Sequence, residues 1–146
     1  MEFKIRAARP EDARSITLLS RELGYPADVK STRERLRRIL GRDDQRVVVA
    51  VAHGGAVCGW LQAQCNVVIE SGLRVEITGL VVADGMRRRG VGRSLVAQAE
   101  TWAREISAET IVVRSNTKRF ESHAFYPSLG YLPSKTQVVY RKRPEI

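Results

Sequence analysis

The sequence predicts a single mixed α/β domain, and three observations carry that prediction. Apolar residues recur at helical spacing in two early runs and one long late run, and three β-rich runs joined by short turns lie between them. A basic glycine loop then separates the last of those strands from the long helix. At 146 residues and 43% hydrophobic content, such a chain buries about two-thirds of its unfolded surface without help from disulfides or metals.

The elements follow in order. Phe3-Lys4-Ile5-Arg6 alternates and reads as a first strand. Pro10 suits a first helical turn, Glu11 and Asp12 favour its dipole, and Ala13, Ile16, Leu19 and Leu23 form one apolar stripe ending at Gly24. Ser31-Thr32-Arg33-Glu34 has the form of a capping box, with Leu36, Ile39 and Leu40 behind it and a stop at Gly41. The intervening Gly24-Tyr25-Pro26-Ala27-Asp28 is a turn that could border a substrate pocket. Arg46 to Ala52, Ala56 to Asn66 and Leu73 to Val82 read as an antiparallel meander. From Val91 to Ile106 the apolar positions keep a 3.6-residue period, which puts Trp102 in the core. Thr110 to Arg114 is a fifth strand, Arg119 to Tyr126 a short helix, and Thr136 to Arg141 a last alternating strand.

Arg87-Arg88-Arg89-Gly90-Val91-Gly92-Arg93-Ser94 carries the chemistry. Its glycines let an anion approach the backbone, and the following helix offers unpartnered N–H groups and a positive dipole end. A phosphate or pyrophosphate fits there. A dinucleotide fingerprint would need a small residue at Leu95, and a triphosphate loop would need Lys-Ser/Thr after Gly92, where Arg93 stands. The stretch instead resembles Arg/Gln-x-x-Gly-x-Gly, the coenzyme A pyrophosphate loop of the GNAT N-acetyltransferase superfamily. Asn116 through Phe125-Tyr126 to Leu129-Gly130-Tyr131 is similar to that family's second motif, Asn…Phe-Tyr…Leu-Gly-Phe/Tyr, and the element order agrees. The resemblance implies a central, mostly antiparallel mixed sheet flanked by helices, with strands four and five splayed apart.

It also implies acetyl transfer from acetyl-CoA to a primary amine by direct attack. A lysine-like amine has a pKa of ~10.4, so presenting it neutral at pH 7 costs about 4 to 5 kcal/mol and a base helps. Glu76, a carboxylate in an apolar strand fourteen residues before Gly90, stands where histone-type members carry that base. The alternatives are a solvent-facing glutamate, one paired with an arginine such as Arg74, and deprotonation through water. Tyr126 occupies the position of the family's thiolate-protonating tyrosine, against a packing role. His123, one turn earlier, could assist or merely cap the pocket. Pro127 departs from the pattern, and the helix is expected to end or kink there. The Leu80 N–H is the implied oxyanion donor, Val81 and Val82 the strand that pairs with pantetheine, and Asn116 a pantetheine contact or a cap. Arg87 to Ser94 would hold the pyrophosphate. Tyr25, Asp28, Glu70 and Glu76 offer acidic character to a cationic acceptor.

Composition bounds the partners. A net charge of +9 invites a nucleic-acid reading, in which a basic module keeps the fold without catalysis. Much of that charge, however, lies at helical spacing on a solvated face, and no strand interleaves aromatic with basic residues. Nucleic acid is therefore the lesser expectation. No apolar run approaches the ~20 residues that span a bilayer and no signal peptide opens the chain, so a cytoplasmic protein is expected. Cys58 and Cys65 lie too far apart on one strand to pair, and no spacing suggests a metal. A homodimer is suggested by the final strand alone.

Overall fold

Three valines explain how the centre forms: in β2, Val47 and Val49 turn one way and Val48 the other, so alternate β-branched residues feed cores on both faces of one sheet. The computed structural model describes residues 2–115 and 120–145. It divides into two compact units, Met1–Arg114 and Ser115–Ile146.

In the first unit, β1 (Phe3–Ala7), β2 (Gln45–Ala52), β3 (Val57–Val68), β4 (Gly72–Val82) and β5 (Thr110–Val113) pair in sequence order. The first three pairings are antiparallel and β4 with β5 is parallel. Helices α1 (Ala13–Glu22) and α2 (Val29–Leu40) cover one face, closing a core of Ala8, Ala13, Ile16, Leu36, Val47 and Val49. Helix α3 (Val91–Glu105) covers the other with Val91, Leu95, Val96, Ala99, Trp102 and Ala103. Trp102 is core, as its period predicts, and the Arg46 guanidinium lies 4.6 Å over its ring.

Two boundaries differ from expectation. Helix α2 begins at Val29, two residues before Ser31, because Asp28 is the cap: its carboxylate accepts from the Ser31 N–H at 3.1 Å and the Ser31 hydroxyl at 2.6 Å. Pro10–Asp12 forms a separate 3-10 turn ahead of α1. Asp12 is buried there and takes both Arg6 guanidinium nitrogens at 2.8 Å, as well as the Arg9 N–H. That bidentate pair ties β1 to the start of α1.

In the second unit α4 spans Phe120–Ser128. Pro127 is expected to end or kink the helix, and α4 ends one residue beyond it, at Ser128. At the penultimate position proline removes only one i→i−4 bond, and the end closes around it. The Tyr126 carbonyl accepts from Leu129 and Tyr131, and the Pro127 carbonyl from Gly130, whose φ is +94°. The predicted last strand, Thr136 to Arg141, is not formed. Residues 131–145 have no regular structure, and Val138 and Tyr140 are exposed. Alternation specifies a face but not a ladder partner, and an unpaired strand is not stable.

Asp12→Asn is predicted to lower stability by about 2–3 kcal/mol at pH 7, the scale of charge-assisted bonds to a buried carboxylate. The Arg6 hydrogen bonds hold the Asp12 carboxyl below its usual range against the opposing effect of burial. A depressed folded pKa stabilises above the unfolded value of ~3.9 and is lost as pH falls through the folded one. Urea titrations of both proteins should therefore show a gap at pH 7 that closes below pH ~4.

Candidate active site

The site starts from a local irregularity in β4. Ile77 opposes Ala63 and Gly79 opposes Gln62, leaving Thr78 as an extra residue, a β-bulge. Opposite residues share a face. Before the bulge Val75 and Ile77 therefore turn toward α3, and after it Gly79 and Val81 turn toward α1 and α2. Strand β5 pairs only with Arg74 to Ile77. Among the described residues no strand continues that ladder, so the far edge of β4 is open from Thr78 onward.

Backbone direction alternates along a strand. The Ala83 N–H bonds the Cys58 carbonyl at 2.8 Å, and the Val81 carbonyl lies 3.0 Å from where a Cβ on Gly59 would sit. Val81 thus turns its backbone groups to β3, while Leu80 and Val82 turn theirs to the open edge. A ligand running along that edge meets the N–H and C=O of Leu80 and Val82, and the buried side chain of Val81 anchors the strand beneath it.

β4 leads into a 3-10 turn, Asp84–Met86, and then the arginine loop. Arg87 pairs with Asp84 at 3.2 Å; Arg88, with φ +63°, Arg89 and Arg93 are exposed. Gly90 caps α3 with φ +84°, no side chain bonds the cap, and the first intrahelical bond runs from Ser94 N–H to Gly90 C=O. The N–H groups of Val91, Gly92 and Arg93 precede it and have no helical partner. A Cβ at Gly90 would meet no heavy atom within 4 Å. Its requirement for glycine is one of backbone angle.

Two glycines that the sequence reading passed over set the geometry. A Cβ at Gly59 would fall 3.2 Å from both Val91 and Leu95, so its absence lets the first turns of α3 settle on β3. A Cβ at Gly79 would lie 2.7 Å from the Trp60 ring, which rests directly on the bulge. Glycine inside an otherwise apolar strand was the available signal, since it marks a bulge or a close approach.

A cleft of about 390 Å³ opens beside the bulge. The Tyr25-Pro26-Ala27 turn borders it as expected, opposite Trp60, Gln62, Gly79 and Leu80, with Arg35 at its wall. The acidic residues anticipated there are elsewhere. Asp28 caps α2, Glu70 is exposed at the β3–β4 turn, and Glu76 is held between arginines. Its Oε1 lies 3.5 Å from Arg74 Nη2 and its Oε2 accepts from Arg114 Nη1; Arg74 in turn donates to Asn66 at 3.0 Å. Tyr126 lies on α4, half-buried, with its ring edge-on to Phe125 at 5.0 Å and Tyr131 at 5.9 Å. His123 is exposed on the same helix. Asn116 lies outside the described residues. Among those residues no group of three His, Cys, Asp or Glu could hold a metal, and no helix is long and apolar enough to cross a membrane.

The model of the acetyltransferase (GNAT) family matches residues 13–131. The chain belongs to that family. Across 144 residues, 96% of this chain and 92% of the relative, it is 26% identical to aminoglycoside N(6')-acetyltransferase type 1 of Stenotrophomonas maltophilia. Over 59 residues, 40% of the chain and 38% of the relative, it is 42% identical to aminoalkylphosphonate N-acetyltransferase of Salmonella typhimurium. A solved aminoglycoside N-acetyltransferase in complex with CoA shares the fold, with a TM-score of 0.86 at 20% identity over 97% of this chain and 95% of that one. The GNAT splay expected of strands four and five is the open edge of β4. By family the chain is an enzyme, an N-acetyltransferase.

Gly79→Ala is predicted to cost about 1–3 kcal/mol, because the Trp60 ring must move. In a double-mutant cycle with Trp60→Leu, measured by urea unfolding, the two losses should be strongly non-additive. Simple additivity would mean that the ring does not constrain the bulge.

Proposed function

We propose that the protein transfers the acetyl group of acetyl-CoA to a primary amine by direct attack in a ternary complex. The observation that carries this reading is the run from the open β4 edge into the α3 start, within one unit. It offers backbone amides at Leu80 and Val82 and, a short loop later, the unpartnered N–H groups of Val91 to Arg93 under four arginines. A chain of amides ending in a pyrophosphate matches both parts. The neighbouring complex with CoA supports the same assignment. Arg87, Arg88, Arg89, Gly90, Val91, Gly92, Arg93 and Ser94 would hold the pyrophosphate, and Asn116 would contact the pantetheine arm. The match from residue 13 to 131 supports treating the chain as one acetyltransferase domain, and we place it in the cytoplasm. Self-association through the exposed apolar C-terminal run is a further part of the reading, checked by sedimentation.

Acetyl-CoA supplies the activated thioester and a thiolate leaving group. The Leu80 N–H donates to the oxygen on which charge develops. Tyr126 protonates the departing sulfur. The amine nitrogen loses its proton to water at the open edge, because both oxygens of Glu76 are engaged by guanidinium groups. Glu76 then serves to clasp β5 to β4, the arginine-paired alternative to a base. The substrates for which the relatives are named divide between polycationic aminoglycosides and an aminoalkylphosphonate, which pairs its amine with an acid group.

Acetyl-CoA should raise the melting temperature, with a shift that grows as RT ln(1 + [L]/Kd). Gly90→Val, which forces a β-branched residue to positive φ, should abolish that shift in a folded protein. An unchanged melt with ligand would remove the coenzyme A assignment.

Glu76→Gln separates base from clasp. As a clasp, its loss lowers stability and leaves the shape of the pH–rate profile unaltered. A base would instead give a defect of about 10²-fold or more at neutral pH that shrinks as pH rises. In the same assay Tyr126→Phe should reduce turnover at saturating amine while acetyl-CoA affinity survives, and less so for thioesters of more acidic thiols.

A further inference from the structure

Bound aminoglycosides are polycations, and a site for them needs carboxylates. The cleft beside the bulge has none. Among the described residues lining it there is no Asp or Glu, and Arg35 is the one formally charged side chain. Arg35 makes no hydrogen bond or salt bridge with another described residue. Asp28 is near enough to feel its charge, but that carboxylate is held first by Ser31, whose hydroxyl and N–H keep its pKa low. Trp60 Nε1 is buried without a hydrogen-bond partner among the described residues, a state that costs about 1–3 kcal/mol unless something else meets it. Gln62 is oriented oppositely, its amide nitrogen donating to Gln45 at 3.1 Å, which leaves its carbonyl oxygen to accept from an amine.

We propose that the acceptor is a small amine that also carries an acid group, a carboxylate or a phosphonate, and that Arg35 binds the acid group. This rests on the acetyl-transfer reading and narrows it. A guanidinium recognises either oxyanion by paired N–H donors. The acid end is thereby anchored at α2 while the amine reaches the bulge, where the Gln62 and Leu80 carbonyls accept its hydrogens. A diamine of the same length would set a second cation against Arg35 with no carboxylate among the described residues that line the cleft. At about 390 Å³ the cleft is near the small end of ligand sites, which suits an amino acid-sized acceptor.

The test compares matched acceptors: γ-aminobutyrate, 3-aminopropylphosphonate, 1,4-diaminobutane and kanamycin, each with wild type, Arg35→Gln, Arg35→Lys and the off-cleft control Arg38→Gln. Acetyl-CoA-induced melting shifts report that each variant is folded and binds coenzyme. The proposal expects wild type to favour one of the two acids over diaminobutane by at least tenfold in kcat/KM. Whichever acid leads identifies the oxyanion. Arg35→Gln should lower that value by about 10–100-fold, mainly through KM, the scale of a charge-assisted hydrogen bond. Arg35→Lys should recover part of it and Arg38→Gln should match wild type. A wild-type preference for diaminobutane or kanamycin, or an equal loss for acidic and cationic amines in Arg35→Gln, would overturn it. So would a protein that binds acetyl-CoA yet neither binds nor acetylates either acid, which leaves the coenzyme reading intact. Absence of any acetyl-CoA shift would instead remove the acetyl-transfer reading itself.

Discussion

One extra residue, Thr78, governs the arrangement of everything around the site. Inserting it into β4 shifts the inward and outward alternation by one, so Val75 and Ile77 pack toward α3 while Gly79 and Val81 pack toward α1 and α2. A bulge also increases local twist. A parallel β5 aligned with the first half of β4 then cannot follow the second half, and its ladder stops opposite Ile77. The unpaired edge that results would be an aggregation liability in most sheets. Here it is only a few residues long and runs directly into the cationic helix start, which is the geometry a mixed amide and phosphate ligand requires.

The same bulge explains why two glycines face opposite ways. Gly59 lies on the α3 side of β3 and Gly79 on the α1–α2 side of β4. One lets the start of α3 settle close to the sheet, and the other lets the Trp60 ring approach the distorted strand closely. Each absent side chain trades local packing for the placement of a neighbour, a choice that makes sense only where position matters more than burial.

Much of the fold was legible because it is written in periodicity. The stripes of α1 and α3, the turns between β2, β3 and β4, and the Gly90 loop all obey local rules, and Trp102 followed from its spacing. Features that depend on distant partners were not legible. Nothing near Thr136 says whether Thr136 to Arg141 will find a strand to pair with, and nothing in Ser31 to Glu34 reveals that Asp28 reaches the cap first. The bulge left one local trace, the glycine at position 79 inside an otherwise largely apolar strand, which marks a bulge or a close approach without saying which. Glu76 was legible in part: a lone carboxylate in such a strand reads either as a base or as a partner of an arginine such as Arg74, and in the structure Arg74 does pair with it, joined by Arg114 from beyond β5, which no local rule indicates. The acidic residues that seemed ready for a cationic acceptor were each spent on capping, pairing or solvent once tertiary neighbours were known.

The charge of the whole protein acquires a function from this distribution. With +9 overall and no acid among the described residues of the cleft wall, the potential favours anions at both the α3 start and the α2 side of the cleft. Such a field raises encounter rates for anionic ligands and is screened within about 8–10 Å at ordinary salt. Acetyl-CoA gains from it directly. A polycationic acceptor would be repelled during approach and meet no carboxylate among the described lining residues, whereas an amino acid-like acceptor is drawn by its acid group and stays neutral overall. Its ammonium is also the weaker partner in that field, because positive surroundings disfavour a second positive charge. The electrostatics that select the acid end thus help to strip the proton from the amine end, which is the step a site without a free carboxylate must accomplish by other means.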